Sequence, residues 1–362
     1  MKPLLVDLET TWRGGQNQAL LLLKGLLERG HQPELVAATN SALGQRAQAA
    51  GISVHYVSRG LFRLPAAQKI RQLVSTGRFD CIHANEAHSV SAAWLAGAHK
   101  HLPFVISRRV GYPIGKSRIA RARYQAAARI VANSQWVADR AGASGAPREK
   151  ITVIYEGAEI PPRCTAEQRQ TARTRWRISP DTTLLGCVGV LLPDKGQEWL
   201  IRALAETRKE FPSAKLLLAG DGPSRPQLEQ LARELGVAYS VVFAGFVSDV
   251  ENVYAALDVF LLPSFFEALN NSLLAAMAYE IPSISFNRGA LGEIIEDGHS
   301  GLLVEAANTP ALHSAIAKIL RDPAGAKKMA EAGRQHIIEN FSAKKMVEAT
   351  LGLYESLGLK NL

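Results

Sequence analysis

The chain has 362 residues, of which 47% are hydrophobic and 21% charged, too long for one ordinary core and suited to two domains of about 100–200 residues each. Collagen-like, disordered and small disulfide-rich classes are excluded, and the apolar stretches 19–27 and 254–266 are broken by Lys24 and Asp258, short of the roughly 18 apolar residues of a membrane span. The formal charge of +9 is uneven: residues 1–178 hold 26 Lys and Arg against 11 Asp and Glu, net +15, while residues 179–362 hold 16 against 22, net −6.

In chain order, short apolar runs bounded by Gly, Pro or Asp alternate with helical-period segments, the signature of βαβ units and a mainly parallel sheet. Residues 1–8 read as a strand rather than a signal peptide, so a cytoplasmic chain is expected. A first series predicts strands at Leu4–Leu8, Glu34–Ala38, Ser53–Val57, Cys81–His83, Phe104–Ser107, Ile130–Ala132 and Thr152–Ile154. Helices at Gln16–Arg29, Leu43–Ala50, Ala66–Ser75, Val90–His99, Lys116–Ala128 and Trp136–Ala141 separate them. Between Pro161 and Pro180 an arginine-rich stretch of little apolar content reads as a connector with a surface helix, where the domain boundary should fall. A second series predicts strands at Leu184–Val190, Lys215–Ala219, Val241–Phe243, Val259–Leu262, Ser283–Phe286 and Gly301–Val304, followed by a last helix, Ala343–Leu357. Cys81, Cys164 and Cys187 have neither disulfide nor zinc-ligand spacing and read as core residues or free thiols.

In open α/β sheets the loops that follow strands hold ligands, and several such loops here carry chemistry. Gly14 and Gly15 precede the first helix. Paired glycines allow close backbone approach and the free amides of a helix start attract anions, although a plain tight turn uses the same pair. No G-x-G-x-x-G with a later acid is present, which speaks against a nicotinamide-binding first unit. Gly189–Gly196 sets Lys195 beside the start of a helix, where a phosphate would be stabilised, or else free in a solvated loop. In Pro263–Ser272, Glu267 could accept hydrogen bonds from sugar hydroxyls while the amides of Ala268, Leu269, Asn270 and Asn271 open the next helix; a simple cap by Glu267 or Asn270 is the alternative. Arg288–Glu293 repeats the pattern of a glycine turn plus an acid at a strand end.

Taken together, WRGG (12–15), RGH (29–31), FDCIHANE (79–86), the VGVL and KG elements (188–196), AGDGP (219–223), FAGFVSDV (243–250), DVFLLPSFFEALNNSLL (258–274) and RGALGEIIEDGHSGLLV (288–304) resemble the glycosyltransferases of family four over most of both domains. The resemblance implies an α/β GT-B fold: two Rossmann-like doubly wound domains facing a central cleft, with a C-terminal helix crossing back to the N-terminal domain. The expected divisions are an acceptor-binding domain at 1–165, a nucleotide-sugar-binding domain at 166–340 and the returning helix at 341–362. The implied activity is transfer of a sugar from a nucleotide diphosphate donor with retention of configuration and with no metal or other cofactor, consistent with the lack of a D-x-D in the cleft loops.

Carried over by position, the resemblance places Gly14, Gly15 and Gly189 at the donor, Lys195 on the leaving diphosphate, and Glu267 with Ala268, Leu269, Asn270 and Asn271 on the donor sugar and phosphate. It sets Phe246 and Val247 near the base, and Trp12, Arg13, Arg108 and Arg109 on the acceptor side. Three positions depart from the family pattern. The second glutamate of its pair, which binds the donor ribose, is Ala275; an arginine expected shortly before Lys195 is replaced by Val190, Leu191 and Leu192; and the second histidine of the H-x-H element is Asn85, with His88 nearby as a substitute. Asn85 cannot take a proton but can accept a hydrogen bond, and in this family the departing diphosphate is thought to take the acceptor proton. Lys195, Glu267, Asn85 and His88 are therefore the expected catalytic set.

From Ser107 to Arg129 there are seven basic residues and no acid, either a solvated face or a helix facing a polyanion or a membrane surface. SRRV, WRGGQ and EALNNSLL are similar to the branch of the family that assembles the bacterial cell envelope, especially lipopolysaccharide core. The expected partners are therefore a nucleotide-sugar donor and an anionic glycan or lipid-linked acceptor, with peripheral association at the inner face of the cytoplasmic membrane through the basic N-terminal domain. Nucleic acid is not expected, since no nucleic-acid-binding motif accompanies the charge. The alternative, motivated by Ala275 and Asn85, is a catalytically weakened GT-B protein that binds nucleotide sugars or acts as a scaffold subunit.

Overall fold

The structure is a computed structural model that describes residues 1–58 and 63–359. The chain forms two compact units, Met1–Gly157 together with Ser342–Leu362, and Ala158–Phe341. The first contains β1 (Pro3–Asp7), α1 (Gly14–Glu28), β2 (Glu34–Ala38), α2 (Ala42–Ala49), β3 (Ser53–Val57), α3 (Leu64–Val74), β4 (Cys81–Ala84), α4 (Ala87–Leu95), β5 (Phe104–Arg108), α5 (Arg118–Gln125), β6 (Arg129–Ala132), α6 (Gln135–Ala143) and β7 (Ile151–Val153). Its seven strands are parallel in the order β3-β2-β1-β4-β5-β6-β7.

The second unit contains α7 (Ala166–Arg175), β8 (Leu184–Val188), α8 (Gln197–Glu210), β9 (Lys215–Ala219), α9 (Arg225–Glu234), β10 (Val241–Gly245), α10 (Glu251–Ala256), β11 (Val259–Leu262), α11 (Asn271–Ala278), β12 (Ser283–Phe286), α12 (Leu291–Ile294), β13 (Leu302–Val304), α13 (Thr309–Arg321) and α14 (Pro323–Asn340). Its six parallel strands run β10-β9-β8-β11-β12-β13. Strands such as β1, β4 and β11 are buried along their whole length, which is why they appear in the sequence as continuous apolar runs rather than alternating ones. In both sheets the strand order reverses beside the first strand, between β1 and β4 and between β8 and β11. That reversal opens a crevice at the carboxyl ends.

The last helix, α15 (Ala343–Ser356), packs on α1 of the first unit. A Cβ at Gly25 would lie 2.5 Å from Val347 Cγ2, so glycine is what lets the two helices approach. Tyr354 is fully buried, and its hydroxyl lies 2.6 Å from His83 Nδ1, whose Nε2 is 2.8 Å from Ser107 Oγ.

Sequence patterning differed from the structure at several boundaries. The expected division at 165/166 compares with 157/158 in the structure. Gln18 exchanges two 2.9 Å hydrogen bonds with Gly157, whereas the Ala158 N–H donates to Phe341 O at 2.7 Å and Arg334 Nη2 to Pro161 O at 2.6 Å. The Arg-rich segment is not simply a surface helix. α7 starts with a Thr165–Gln168 capping box, and Arg173 is 3% exposed, donating to Ala256 O, Asp258, Ser179 O and Thr182 O. α4 starts at Ala87 rather than Val90 because the Glu86 carboxylate caps it, and it ends before Gly97, whose φ is +73°. α5 is shorter than the expected Lys116–Ala128, starting after the Ser117 cap and stopping at Gln125.

Candidate functional site

In the second unit, the loops after β8 and β11 flank the crevice. Gly196 takes φ +67° and ends a 3-10 turn at Pro193–Lys195; a Cβ there would lie 2.2 Å from Pro263 O. The Phe265 N–H donates to Asp194 O at 2.9 Å. These contacts bring two loops together that are far apart in sequence, and Lys195 Nζ pairs with Glu267 Oε1 at 2.7 Å. Glu267 is nearly buried and also accepts from Asn270 Nδ2 at 3.0 Å. Its backbone is fixed by the next loop: Ala290 N–H donates to Glu267 O at 3.0 Å, and a Cβ on Gly289 would lie 2.1 Å from that oxygen.

Asn270 caps α11, its Oδ1 accepting from Leu273 N–H at 2.9 Å, so one helix amide is already satisfied. The N–H groups of Ala268, Leu269 and Asn270 donate to no backbone carbonyl among the described residues. They lie ahead of an eight-residue helix whose positive end favours anions. Ala275 sits half-buried within α11 and offers no polar group. Beneath the pair, burial pushes the Cys187 thiol up to about 12, so it stays protonated and apolar. At the edge of this sheet Phe246 is 81% exposed and Val247 buried, while Gly189 has open space where a Cβ would sit.

The corresponding crevice of the first unit holds a buried polar network. Asp7, at the end of β1, accepts from Gln16 Nε2 at 3.0 Å and from Asn85 Nδ2 at 2.6 Å. Burial raises the Asp7 carboxyl above its usual range; hydrogen bonds from Asn85, Gln16 and the Glu9 N–H and the charge of Arg109 act the other way. Asn85 Nδ2 also donates to Gly15 O at 3.2 Å, and Asn85 Oδ1 accepts from Arg109 Nη1 at 2.6 Å. Arg109 completes the chain through Nε to Glu156 Oε1 at 2.9 Å. Beside it, burial and then the charge of Arg109 bring His83 down to about 3, so its ring is neutral.

The structure brings Gly15, Asn85 and Arg109 together but separates other expected site residues from them. Arg108 is buried, donating to Tyr124 Oη at 2.9 Å and to Tyr112 O, so its guanidinium holds the β5–α5 connection. Trp12 is half-buried under Arg46, whose guanidinium lies 4.1 Å from its ring centre, and Arg13 is the exposed residue before α1. His88 lies in the first turn of α4, contacting Arg63 and, at 3.4 Å, Glu9. Glu9, Glu86 and His88 bring possible metal ligands within 4.8 Å of one another, yet the Glu86 oxygens already accept from Leu8, His88 and Ser89 N–H groups. Sequence reasoning missed Asp7, Gln16 and Glu156. The one available signal was an acid standing where an apolar strand run ends, at Asp7 and again at Glu156.

Residues 12–160 match the family described as Glycosyltransferase Family 4, and residues 182–322 match Glycosyl transferases group 1. The chain belongs to the family four, group 1 glycosyltransferases. Among relatives, this glycosyltransferase is 28% identical over 354 residues to the lipopolysaccharide core biosynthesis glycosyltransferase LpsE of Rhizobium meliloti, covering 95% of this chain and 96% of the relative. It is 25% identical over 363 residues to an uncharacterized glycosyltransferase of Methanocaldococcus jannaschii, covering 92% of each. Two solved structures share its fold: a glycosyltransferase of Rickettsia africae, with TM-score 0.88, 21% identity and 99% of each chain covered, and Anabaena HepE in complex with UDP and glucose, with TM-score 0.86, 21% identity, 98% of this chain and 100% of that one. The fold is GT-B, as the two doubly wound sheets and the returning α15 require.

Proposed function

We propose that this glycosyltransferase moves a sugar, with retention and without a metal, from a nucleoside diphosphate sugar to an anionic, lipid-linked acceptor of the cell envelope. The Lys195–Glu267 pair, held at the strand-order reversal of the second sheet, carries this reading. In it Lys195 stabilises the negative charge that develops on the leaving diphosphate, the point at which preorganised positive groups help most. Glu267 accepts hydrogen bonds from the donor sugar, and the Ala268–Asn270 amides meet the phosphate. The departing diphosphate takes the acceptor proton, so no side-chain base is needed. The donor class is supported by the nucleotide in the HepE structure and the acceptor class by the named role of LpsE.

Association with an anionic membrane surface is supported by the segment around α5. Val110, Tyr112 and Ile119 are 44%, 61% and 55% exposed, beside Lys116, Arg118 and Arg121, which make no ion pair among the described residues. No helix among the described residues is long and apolar enough to cross a membrane, so such association would be peripheral.

Calorimetry with a panel of nucleotide sugars, followed by product analysis of the anomer formed, tests the reading. Binding of at least one donor and transfer with retention are expected, and binding of none would refute it. Ala275 favours the second reading, a binding or scaffold protein, which predicts donor binding without turnover. Ala275→Glu restores a carboxylate able to hold a ribose diol, and should tighten donor binding by roughly tenfold, the worth of one charged hydrogen bond.

A further inference from the structure

We infer that Asn85 is a positioning residue rather than a proton acceptor: Asp7 and Arg109 orient its amide so that Nδ2 holds the Gly15 carbonyl and fixes the first turn of α1. The inference rests on the transfer reading only for the role of that turn.

The orientation of the amide is dictated by its neighbours. A guanidinium only donates, so Arg109 fixes the amide oxygen toward itself whatever the charge of Asp7. The nitrogen of Asn85 therefore faces Asp7 Oδ2, at 2.6 Å, and its oxygen faces Arg109 Nη1, also at 2.6 Å. Arg109 Nη1 additionally donates to the Asn85 backbone carbonyl at 2.8 Å, and Arg109 is itself clamped by Glu156. With one Nδ2 hydrogen on Asp7, the second meets Gly15 O at 3.2 Å. All three hydrogen-bonding groups of the side chain are in use, and Asn85 is 6% exposed.

The turn needs such support. α1 starts after Arg13, which supplies no side-chain cap, and its first turn contains two glycines, the residues that lose most freedom on ordering. Asp7 anchors this turn twice, directly through Gln16 Nε2 and indirectly through Asn85 and Gly15 O. A neutral imidazole at position 85 supplies one donor and one acceptor. It would satisfy Asp7 and Arg109 and leave Gly15 unheld. The network is matched to asparagine.

Two measurements on the full chain test this, with melting temperatures recorded to confirm folding. The first is hydrogen exchange of the first-turn amides of α1. Asn85→Asp sets a second carboxylate against Asp7 and removes the donor to Gly15, so exchange at residues 16–19 should accelerate about tenfold, the equivalent of one hydrogen bond. Acceleration relative to the parent chain should persist as the pH is lowered, because a protonated acid at position 85 has one hydrogen, for Asp7, and none for the Gly15 carbonyl. Asp7→Asn keeps an acceptor and should retain most of the protection. Unchanged exchange in Asn85→Asp would overturn the inference. The second is turnover and nucleoside diphosphate affinity, with UDP, GDP and ADP as probes. Asn85→His should weaken binding of the nucleotide that the parent chain binds and lower turnover; a rise in turnover would mean that position 85 works as a base and would also overturn it. Should no nucleotide bind the parent chain while exchange responds as expected, the transfer reading fails and the positioning role stands.

Discussion

Removing the charge of Lys195 isolates the feature on which the functional reading depends. At 2.7 Å, with side chains 25% and 9% exposed, Lys195 and Glu267 attract each other by about 6 kcal/mol at an effective dielectric of roughly 20 before desolvation is counted. What survives as net stability is that of a charged hydrogen bond, about 1.5–3 kcal/mol, with the lower end expected because water reaches the lysine. Lys195→Met leaves the Glu267 carboxylate with the Asn270 amide as its one remaining hydrogen-bond partner among the described residues. The cost of about 2 kcal/mol should lower the melting temperature by roughly 4–8 °C for a unit of this size. Glu267→Gln and the double variant complete a cycle whose coupling energy should be about 1.5–2 kcal/mol and should shrink little in high salt. Because the lysine is also to meet the diphosphate, Lys195→Met should weaken nucleoside diphosphate binding about 10–100-fold in calorimetry. A coupling energy under about 0.5 kcal/mol would refute the pairing. Unchanged nucleotide affinity would refute the phosphate role even if the pairing were real.

Three further outcomes follow from the geometry. Gly289→Ala places a methyl 2.1 Å from Glu267 O at a backbone φ of +60°, and should cost at least about tenfold in donor affinity and roughly 1–3 kcal/mol in stability; Gly292→Ala, with its nearest neighbour at 3.4 Å, is the control that should change little. His83 is held at about 3 by burial, while the unfolded chain takes up this proton near pH 6.5. Its stabilising contribution is therefore complete above about pH 6.5 and lost as the pH falls toward 3, so His83→Gln should reduce the stability lost between pH 7.5 and 4.5 by roughly 2–3 kcal/mol in thermal melts; an equal loss in both proteins would contradict the neutral, buried ring. Replacing Lys116, Arg118 and Arg121 by Gln should reduce sedimentation with phosphatidylglycerol vesicles by about 1 kcal/mol per charge and leave phosphatidylcholine vesicles unaffected. Equal binding of parent and variant would remove the membrane from the proposal.

The sequence by itself determined most of the architecture. Buried parallel strands are largely apolar along their length, so β1, β2, β9, β11 and β12 were legible almost to the residue, and glycine turns marked the loops at the crevices. Helix ends were less legible because a cap is a local competition: Glu86 and Ser117, not apolar periodicity, decide where α4 and α5 begin.

Lys195 and Glu267 could each be picked out from the residues around them, but that they pair depends on β8 and β11 lying side by side, a pairing 72 residues apart in the chain. The same holds for Asn85, which by position looked like a weakened base. Only the convergence of β1, β4, β5 and the segment after β7 surrounds it with Asp7, Arg109 and Glu156 and turns it into a tether for Gly15. Arg173 looked solvated and is buried, and His83 meets a tyrosine 271 residues away. Apolar burial is a property of one segment and can be read in that segment. The state of a polar side chain is set by whichever donors and acceptors the fold brings within about 3 Å of it, and only the tertiary structure supplies those.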